Sequence, residues 1–392
     1  MGKVRAFTIS FANTSGIFYP GQPVQGEVLV QVKDEVKIRE IRLEFGGFAH
    51  VHWSESHGSG KHRRTVHYSS REEYFKVVVP CLSPPHGEEK MMLKPGEYRY
   101  PFQFQIPPSS PSSFEGGIGR VRYYVKGTMD KPWAFDVEDV RYFSVLNLLD
   151  LNPIPEAKQG QEGQDSKTLC CLCCASGPIS GKHNIPVSGY VPGEAIQINA
   201  ELINHSNRNC EIWMELVQSI RYITARKTRT VNTVVQKTTA RTVGKGDSDY
   251  WRGEQITVPP LPSTGLHGCN IIDIMYLWVL VCDPAGPAIN LRVNIPIIIG
   301  GIPLVSAAQL YGNVNPMNTG TSAFPSPFQV FPENVPQPVY ASFSTGNHLQ
   351  NPGQADNSVA PSGDNQQDDT FTPQYPYYNW NTYDTNFKPT SF

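Results

Sequence analysis

Tyr19-Pro20-Gly21-Gln22-Pro23-Val24-Gln25-Gly26-Glu27-Val28-Leu29-Val30 is a phrase that this chain uses twice. It returns as Tyr190-Val191-Pro192-Gly193-Glu194-Ala195-Ile196-Gln197-Ile198-Asn199-Ala200-Glu201-Leu202. Each copy is a Pro-Gly turn that releases the chain into a run where apolar and polar side chains alternate, the two-residue period of a strand with one buried face. A second phrase repeats in the same order: Gly96-Glu97-Tyr98 running to Ile106-Pro107-Pro108-Ser109, then Gly253-Glu254-Gln255-Ile256-Thr257-Val258-Pro259-Pro260. Two markers in one order in both halves imply a duplicated all-β module. Such a molecule offers surface rather than a single cleft, which directs the expectation towards binding.

Length and composition agree. A chain of 392 residues is too long for one core and divides into two or three domains. Val, Ile, Thr, Tyr and Phe cluster between Gly and Pro punctuation, which is strand composition. From Ser306 onward six acids stand against the single base Lys388, so this part carries −5 and, with −2 for the whole, the body about +3. A mildly basic body fits an anionic partner.

Met1 to Ser10 lacks the apolar core of a secretory signal. Ala6 occupies the position where a myristoylation pattern needs Ser or Thr. Ile271–Val281 and Ile295–Leu304 are too short to span a bilayer and read as buried strands. Four of the eight cysteines are packed into Cys170–Cys174, which no disulfide framework would use, so a reduced, cytosolic chain is expected.

Catalytic signatures are missing. Gly58-Ser59-Gly60-Lys61 lacks the upstream Gly and the following Ser or Thr of a phosphate loop, and no G-x-S-x-G occurs. The expectation is therefore no enzyme, no cofactor and no metal. Nucleic acid is excluded as a partner by the near-neutral balance and the lack of any reader motif.

The first module is placed at 1–150, with strands at Ile38–Phe45, Phe75–Val79, Tyr98–Ile106 and Val121–Val125. Glu55 to Gly60 reads as a polar loop, and Ile106 to Pro111 as an exposed connection, because proline has no amide to give a ladder. A polar stretch, 151–166, reads as a linker, and the second module runs over 167–305. Ile271–Cys282 and Leu291–Ile299 are its best strands, apolar enough for a sheet covered on both faces. Over 306–392 Pro, Asn, Gln, Ser and Thr dominate and aliphatics nearly vanish, so this tail is expected to be disordered.

Three stretches carry a family likeness: Lys167 to Ser180 with its Cys-rich run and Ser176-Gly177-Pro178, Gly189 to Glu194, and Gly268-Cys269-Asn270-Ile271-Ile272. Together with Tyr19-Pro20-Gly21, Val24, Gly26 and Val28, they make the chain resemble the α-arrestins, the arrestin domain-containing adaptor proteins, over roughly residues 4 to 305. The resemblance implies an all-β fold of two tandem arrestin-like (immunoglobulin-like) β-sandwich domains plus the tail. It also implies a cytoplasmic adaptor without catalysis, peripheral at the plasma membrane and endosomes. Members bind membrane receptors or transporters through the body and promote their ubiquitination, endocytosis and sorting. They recruit WW-domain HECT-type ubiquitin ligases through P-P-x-Y motifs in the tail. Proline-rich segments suit that task because they are already extended, so docking orders little.

The tail departs from the pattern, because no complete P-P-x-Y occurs in it. What remains is Pro338-Val339-Tyr340, Pro373-Gln374-Tyr375 and the overlapping Pro376-Tyr377-Tyr378. Pro338, Tyr340, Pro373, Tyr375, Pro376 and Tyr378 are the candidate WW-domain contacts. Each missing leading proline weakens docking by about 1–2 kcal/mol, the order of one buried apolar side chain. Cores about 35 residues apart can recover affinity on a tandem WW partner. An alternative implied by the same fold is a retromer-like membrane-sorting scaffold that recruits no ligase.

Two basic stretches are candidate contacts for anionic cargo or membrane lipid: Lys61, Arg63 and Arg64 in the histidine-rich His50–His67 region, and Arg226, Lys227 and Arg229. The latter belong to seven bases with no acid between Glu215 and Asp247. A solvated edge guarded by charge is the plainer reading of both. Cys170, Cys171, Cys173 and Cys174 are candidate acylation sites, beside the plainer reading of small apolar residues opening the second sandwich. Adjacent cysteines on a strand face opposite ways, so one zinc ion cannot gather all four. Leu148-Leu149-Asp150-Leu151 resembles a clathrin-binding box but falls where the first module ends, which favours burial.

Overall fold

The structure is a computed structural model that describes residues 3–58, 63–171, 174–307, 337–342 and 371–380, without the side chains of 170–176. The first module holds β1 (Val4–Phe11), β2 (Ile17–Phe18), β3 (Pro23–Val32), β4 (Val36–Ile38), β5 (Glu40–His57), β6 (Arg64–Leu82), β7 (Met91–Leu93), β8 (Gly96–Gln105), β9 (Phe114–Gly116), β10 (Gly119–Asp130) and β11 (Val137–Val145). The second holds β12 (Gln161–Cys171), β13 (Cys174–Ile185), β14 (Gly189–Tyr190), β15 (Ala195–Asn204), β16 (Cys210–Ile223), β17 (Thr228–Lys237), β18 (Arg241–Val243), β19 (Ser248–Thr257), β20 (Ile272–Pro284) and β21 (Leu291–Ile299). Two short strands follow, β22 (Val339–Ala341) and β23 (Tyr375–Tyr377).

Each module is a sandwich of a small and a large sheet. The orders are β1-β3-β8 against β2-β11-β10-β5-β6 in the first, and β12-β13-β15-β19 against β14-β21-β20-β16-β17 in the second. The repeated phrases occupy matching strands. Val24, Val28, Val30 and Val32 of β3 point inward and are buried, as are Ile196, Ile198, Ala200 and Leu202 of β15. In each module the two phrases touch. Gly21 N donates to Ile106 O and Ile106 N to Gln22 O, both at 3.0 Å, while Gly193 N donates to Val258 O and Val258 N to Glu194 O, both at 2.8 Å. Thus each Pro-Gly turn is locked to the residue before a Pro-Pro pair. Both turns need glycine, since Gly21 and Gly193 have φ of +81° and +96°. A further echo closes each sandwich: Tyr123 Oη donates to Pro111 O at 2.7 Å, and Tyr276 Oη to Pro262 O at 2.8 Å.

Four expectations are corrected. The stretch 151–166 is not a free linker, because β12 begins at Gln161 and pairs with β13 from Gln161↔Ile185 onward. Its polar side chains disguise an edge strand, whose outer face is wet. The polar loop after β5 starts later than Glu55, because β5 and β6 stay paired out to His57↔Arg64. The connection Ile106 to Pro111 carries no strand, yet Ile106 and Ser110 are buried. The second module touches it as well, with Gly268 (φ +94°) lying against Ser109 O and Pro111. Finally, β21 alternates buried and exposed residues, so one of its faces is open to solvent.

The modules meet along β9 and β10 of the first and β16 of the second. The Tyr222 ring rests on Gly119, where a Cβ would lie 2.7 Å from it. Asn270 N donates to Glu72 Oε2 at 3.0 Å. A second joint lies at the chain crossing, where Gly301 N and Ile302 N both donate to Leu149 O at 2.8 and 3.1 Å. Leu148 to Leu151 therefore serve this joint, and Leu151 is fully buried there.

Candidate functional site

The tail was expected to be disordered throughout, but its two motif-bearing segments are docked at the chain crossing. β22 and β23 pair antiparallel, with Val339↔Tyr377, Tyr340↔Pro376 and Ala341↔Tyr375. Pro338, Pro373, Tyr375, Pro376 and Tyr378 are buried, and Tyr340 is half-buried. The aromatic side chains supply what the composition of the surrounding tail lacks, namely enough apolar surface to offset the entropy of ordering a short segment.

The side chains sort by module. Tyr375 packs with Ile17 and Leu146 of the first module and donates its hydroxyl to Ser113 O at 3.3 Å. Gln374 N donates to Ser144 Oγ at 3.3 Å, and the Phe371 ring lies 5.6 Å from that of Tyr142. Tyr378 turns to the second module. It packs among Leu151, Val191, Leu304 and Trp380, donates its hydroxyl to Gly301 O at 2.7 Å, and donates its amide to Pro192 O at 3.0 Å. Trp380 stacks on it with ring centroids 5.7 Å apart. The hydroxyls of Tyr340 and Tyr19 share a short hydrogen bond. Burial pushes the phenols of Tyr19, Tyr340, Tyr375 and Tyr378 upward, so all four remain neutral. Glu194, buried in the turn that receives Tyr378, is pushed up to about 7 by burial, against the Val191 amide it accepts from at 2.8 Å.

A second constellation joins the basic stretches. The β16–β17 turn is tied by Thr224, whose hydroxyl donates to Lys227 O at 2.8 Å and accepts from Lys227 N at 3.2 Å. That turn meets the end of the β5–β6 hairpin. Lys227 Nζ reaches Glu55 Oε2 at 2.6 Å and lies 5.7 Å from the centre of the Tyr68 ring. Glu55 is held below the usual carboxylate range, first by Lys227 and next by the Trp53 indole. Arg63, which donates to Ser56 Oγ at 3.1 Å, and Arg64 belong to the end of that β5–β6 hairpin, while Arg226, Lys227 and Arg229 belong to the β16–β17 hairpin that Lys227 joins to it. Lys61 lies outside the described residues. Three others of the seven-base run have structural work, since Arg221 pairs with Asp273 at 2.8 Å, Arg241 pairs with Glu254, and Lys237 caps the Trp213 ring at 4.0 Å.

The cysteine run forms the β12–β13 hairpin end, with Cys171 opposite Cys174 and Cys170 opposite Ala175. The side chains of Cys170, Cys171 and Cys174 are not described, and Cys173 lies outside the described residues. His50, His52 and His67 stack on the outer face of β5 and β6, with centroids 6.3 and 5.8 Å apart. Among the described residues no group of three or more His, Cys, Asp or Glu is placed to hold a metal.

The family model described as "Arrestin (or S-antigen), N-terminal domain" matches residues 7–152, and the "Arrestin (or S-antigen), C-terminal domain" model matches 175–304. Arrestin domain-containing protein 17 of Caenorhabditis elegans is 30% identical over 343 residues, covering 83% of this chain and 77% of that one. This chain belongs to the arrestin domain-containing family. Arrestin domain-containing protein 4 of Mus musculus is 32% identical over 309 residues, with 77% and 73% covered. Arrestin domain-containing protein 1 of Rattus norvegicus is 27% identical over 362 residues, with 90% and 76% covered. The kinship supports an arrestin-like adaptor role for the two-sandwich body.

Several participants escaped the sequence reading: Tyr19, Pro192, Gly193, Gly301, Phe371 and Trp380. One signal was available, because residues 371–380 hold five aromatics in ten positions, well above the rest of the tail.

Proposed function

We propose that this arrestin-family chain is a cytoplasmic trafficking adaptor acting peripherally at the plasma membrane and endosomes. The body binds the cytosolic part of a membrane receptor or transporter, and the Pro-x-Tyr motifs bring a WW-domain HECT-type ubiquitin ligase to it, promoting endocytosis and sorting. The chain itself performs no chemistry. The observation that supports cargo binding is the contact between the two hairpins that carry these bases, where Lys227 of the β16–β17 turn reaches Glu55 of β5 at 2.6 Å. Guanidinium and ammonium groups gathered at one end suit a phosphorylated or acidic peptide, with anionic lipid as a neighbouring ligand. S-acylation at the Cys170–Cys174 hairpin would add a membrane tether.

The test is pull-down by a tandem WW module from a HECT-type ligase. The adaptor reading expects retention of the full chain and its loss in Tyr340→Ala/Tyr375→Ala/Tyr378→Ala. Undiminished retention in the triple variant removes the ligase arm. The burial of Tyr375 and Tyr378 favours a second reading, a retromer-like sorting scaffold that recruits no ligase. Cargo sorting that survives deletion of the chain beyond residue 307 would select it.

A further inference from the structure

The two Pro-Gly turns that reveal the duplication are also where the tail is held. Tyr340, of Pro338-Val339-Tyr340, meets Tyr19 of the first turn, hydroxyl to hydroxyl. Tyr378, of Pro376-Tyr377-Tyr378, hangs from the second turn by its amide on Pro192 O. The paired strands β22 and β23 join the two attachments. Each module thus offers its copy of the same turn to one Pro-x-Tyr motif.

Gly193 shows that the second turn is shaped around the tail. Gly21 and Gly193 share a positive φ, so turn geometry alone accounts for glycine at both. A Cβ on Gly21 would meet nothing within 4 Å, whereas one on Gly193 would strike the carbonyl oxygen of Tyr378. The tail backbone is pressed onto the turn more closely than any side chain there would allow.

The geometry points to a two-point latch, in which the duplicated Pro-Gly turns hold the two tail segments that carry the Pro-x-Tyr motifs against the module joint and so withhold them from any outside module that reads those motifs. The inference rests on the ligase reading for the identity of that module, but not for the latch. The side chains that a WW domain would take, Pro338, Pro373, Tyr375, Pro376 and Tyr378, are the ones buried against the body, with Tyr340 half-buried. A WW domain and the body cannot hold one tyrosine together. Apparent affinity for the outside module then scales with the fraction of chains whose tail is undocked. Opening also frees both sides of the joint, since Tyr375 is held by the first module and Tyr378 by the second.

The test compares a synthetic peptide spanning 369–382 with the full chain, each titrated with a recombinant tandem WW module. Trp380 lies outside every Pro-x-Tyr core, so Trp380→Ala loosens the latch without altering the motifs or the body. The full chain should bind about tenfold or more weakly than the peptide, as a tail undocked in a tenth of molecules or fewer requires. Trp380→Ala should bring the full chain to within about twofold of the peptide. Equal affinity of wild-type chain and peptide overturns the latch.

A peptide that does not bind at all defeats the ligase reading, and the latch is then judged by chymotryptic cleavage within 371–380. Slow cutting in the wild-type chain, and faster cutting in Trp380→Ala and Gly193→Ala, supports it. Cutting at the free-peptide rate in the wild type overturns it. Gly246→Ala, at φ +75° in a turn with open space around it, controls for backbone strain.

Discussion

The hydroxyl of Tyr378 donates to the carbonyl oxygen of Gly301 at 2.7 Å, across 77 positions of sequence. Gly301 is itself bound through its amide to Leu149 O at the end of the first module. One phenol in the tail thus reports on the joint between the two sandwiches. Tyr378→Phe keeps the ring and removes the bond, leaving the Gly301 carbonyl without this donor. The docked tail should weaken by about 1 kcal/mol, the net worth of an ordinary hydrogen bond. Chymotryptic cleavage in the tail should accelerate roughly fivefold, while unfolding of the body is unchanged.

Glu194 and His183 set opposite pH slopes. Glu194 is raised by burial from 4.5 to about 7, so between these values the folded chain keeps a proton that the unfolded chain releases. Its contribution to stability is complete below about pH 4.5 and is lost as pH rises through 7. His183 is lowered by burial from 6.5 to about 4, opposed by its bond to Val293 O, so its contribution is present above 6.5 and lost as pH falls towards 4. Denaturant titrations at pH 5 and pH 8 should show Glu194→Gln gaining on the wild type at pH 8 by on the order of 2 kcal/mol. An unchanged pH dependence would remove Glu194 from this role.

Gly119 has no room for a side chain, because the Tyr222 ring of the other module occupies the space. Gly119→Ala should destabilise the pair of modules by about 1–3 kcal/mol, the usual cost of overpacking. The melting profile should broaden or split as the modules cease to unfold together. A single transition at the wild-type temperature would show that the joint tolerates the methyl group.

Charge reversal at Arg226 and Arg229 tests the basic end without touching the joint. Both are exposed on the β16–β17 hairpin. Arg226→Glu/Arg229→Glu should weaken binding of a doubly phosphorylated peptide about tenfold at low salt, with the difference fading towards 1 M, where the screening length falls to about 3 Å. Stability should be nearly unchanged, as expected for surface charges. Equal binding at low salt would assign these arginines to the solvated edge.

Much of the architecture was legible because it is written in local periods. The alternation in β3 and β15 is a property of consecutive residues, and the repeated turns are mirrored by matching hydrogen bonds to Ile106 and Val258. Edge strand β12 was hidden because a wetted strand lacks the apolar signal that marks an interior one. The contact at Ser109 and Pro111 was hidden because the loop that lies on them, at Gly268, comes from the other module. The docked tail was hidden for the same reason. Tyr375 and Tyr378 read as recognition tyrosines, and they are recognised, but by Ser113, Pro192 and Gly301 of their own chain. Composition foretells whether a tail can fold alone, not whether a groove awaits it.

Hydrogen-exchange mass spectrometry of the full-length chain, read on the peptide covering 371–380, tests the docked tail most directly. The bonds of Gln374 and Tyr378 to the body, together with the β22–β23 pairing, predict amides that exchange at least about tenfold more slowly than in an unstructured peptide, with protection lost in Trp380→Ala. Exchange of the whole segment at the unstructured rate in the wild-type chain would contradict the account.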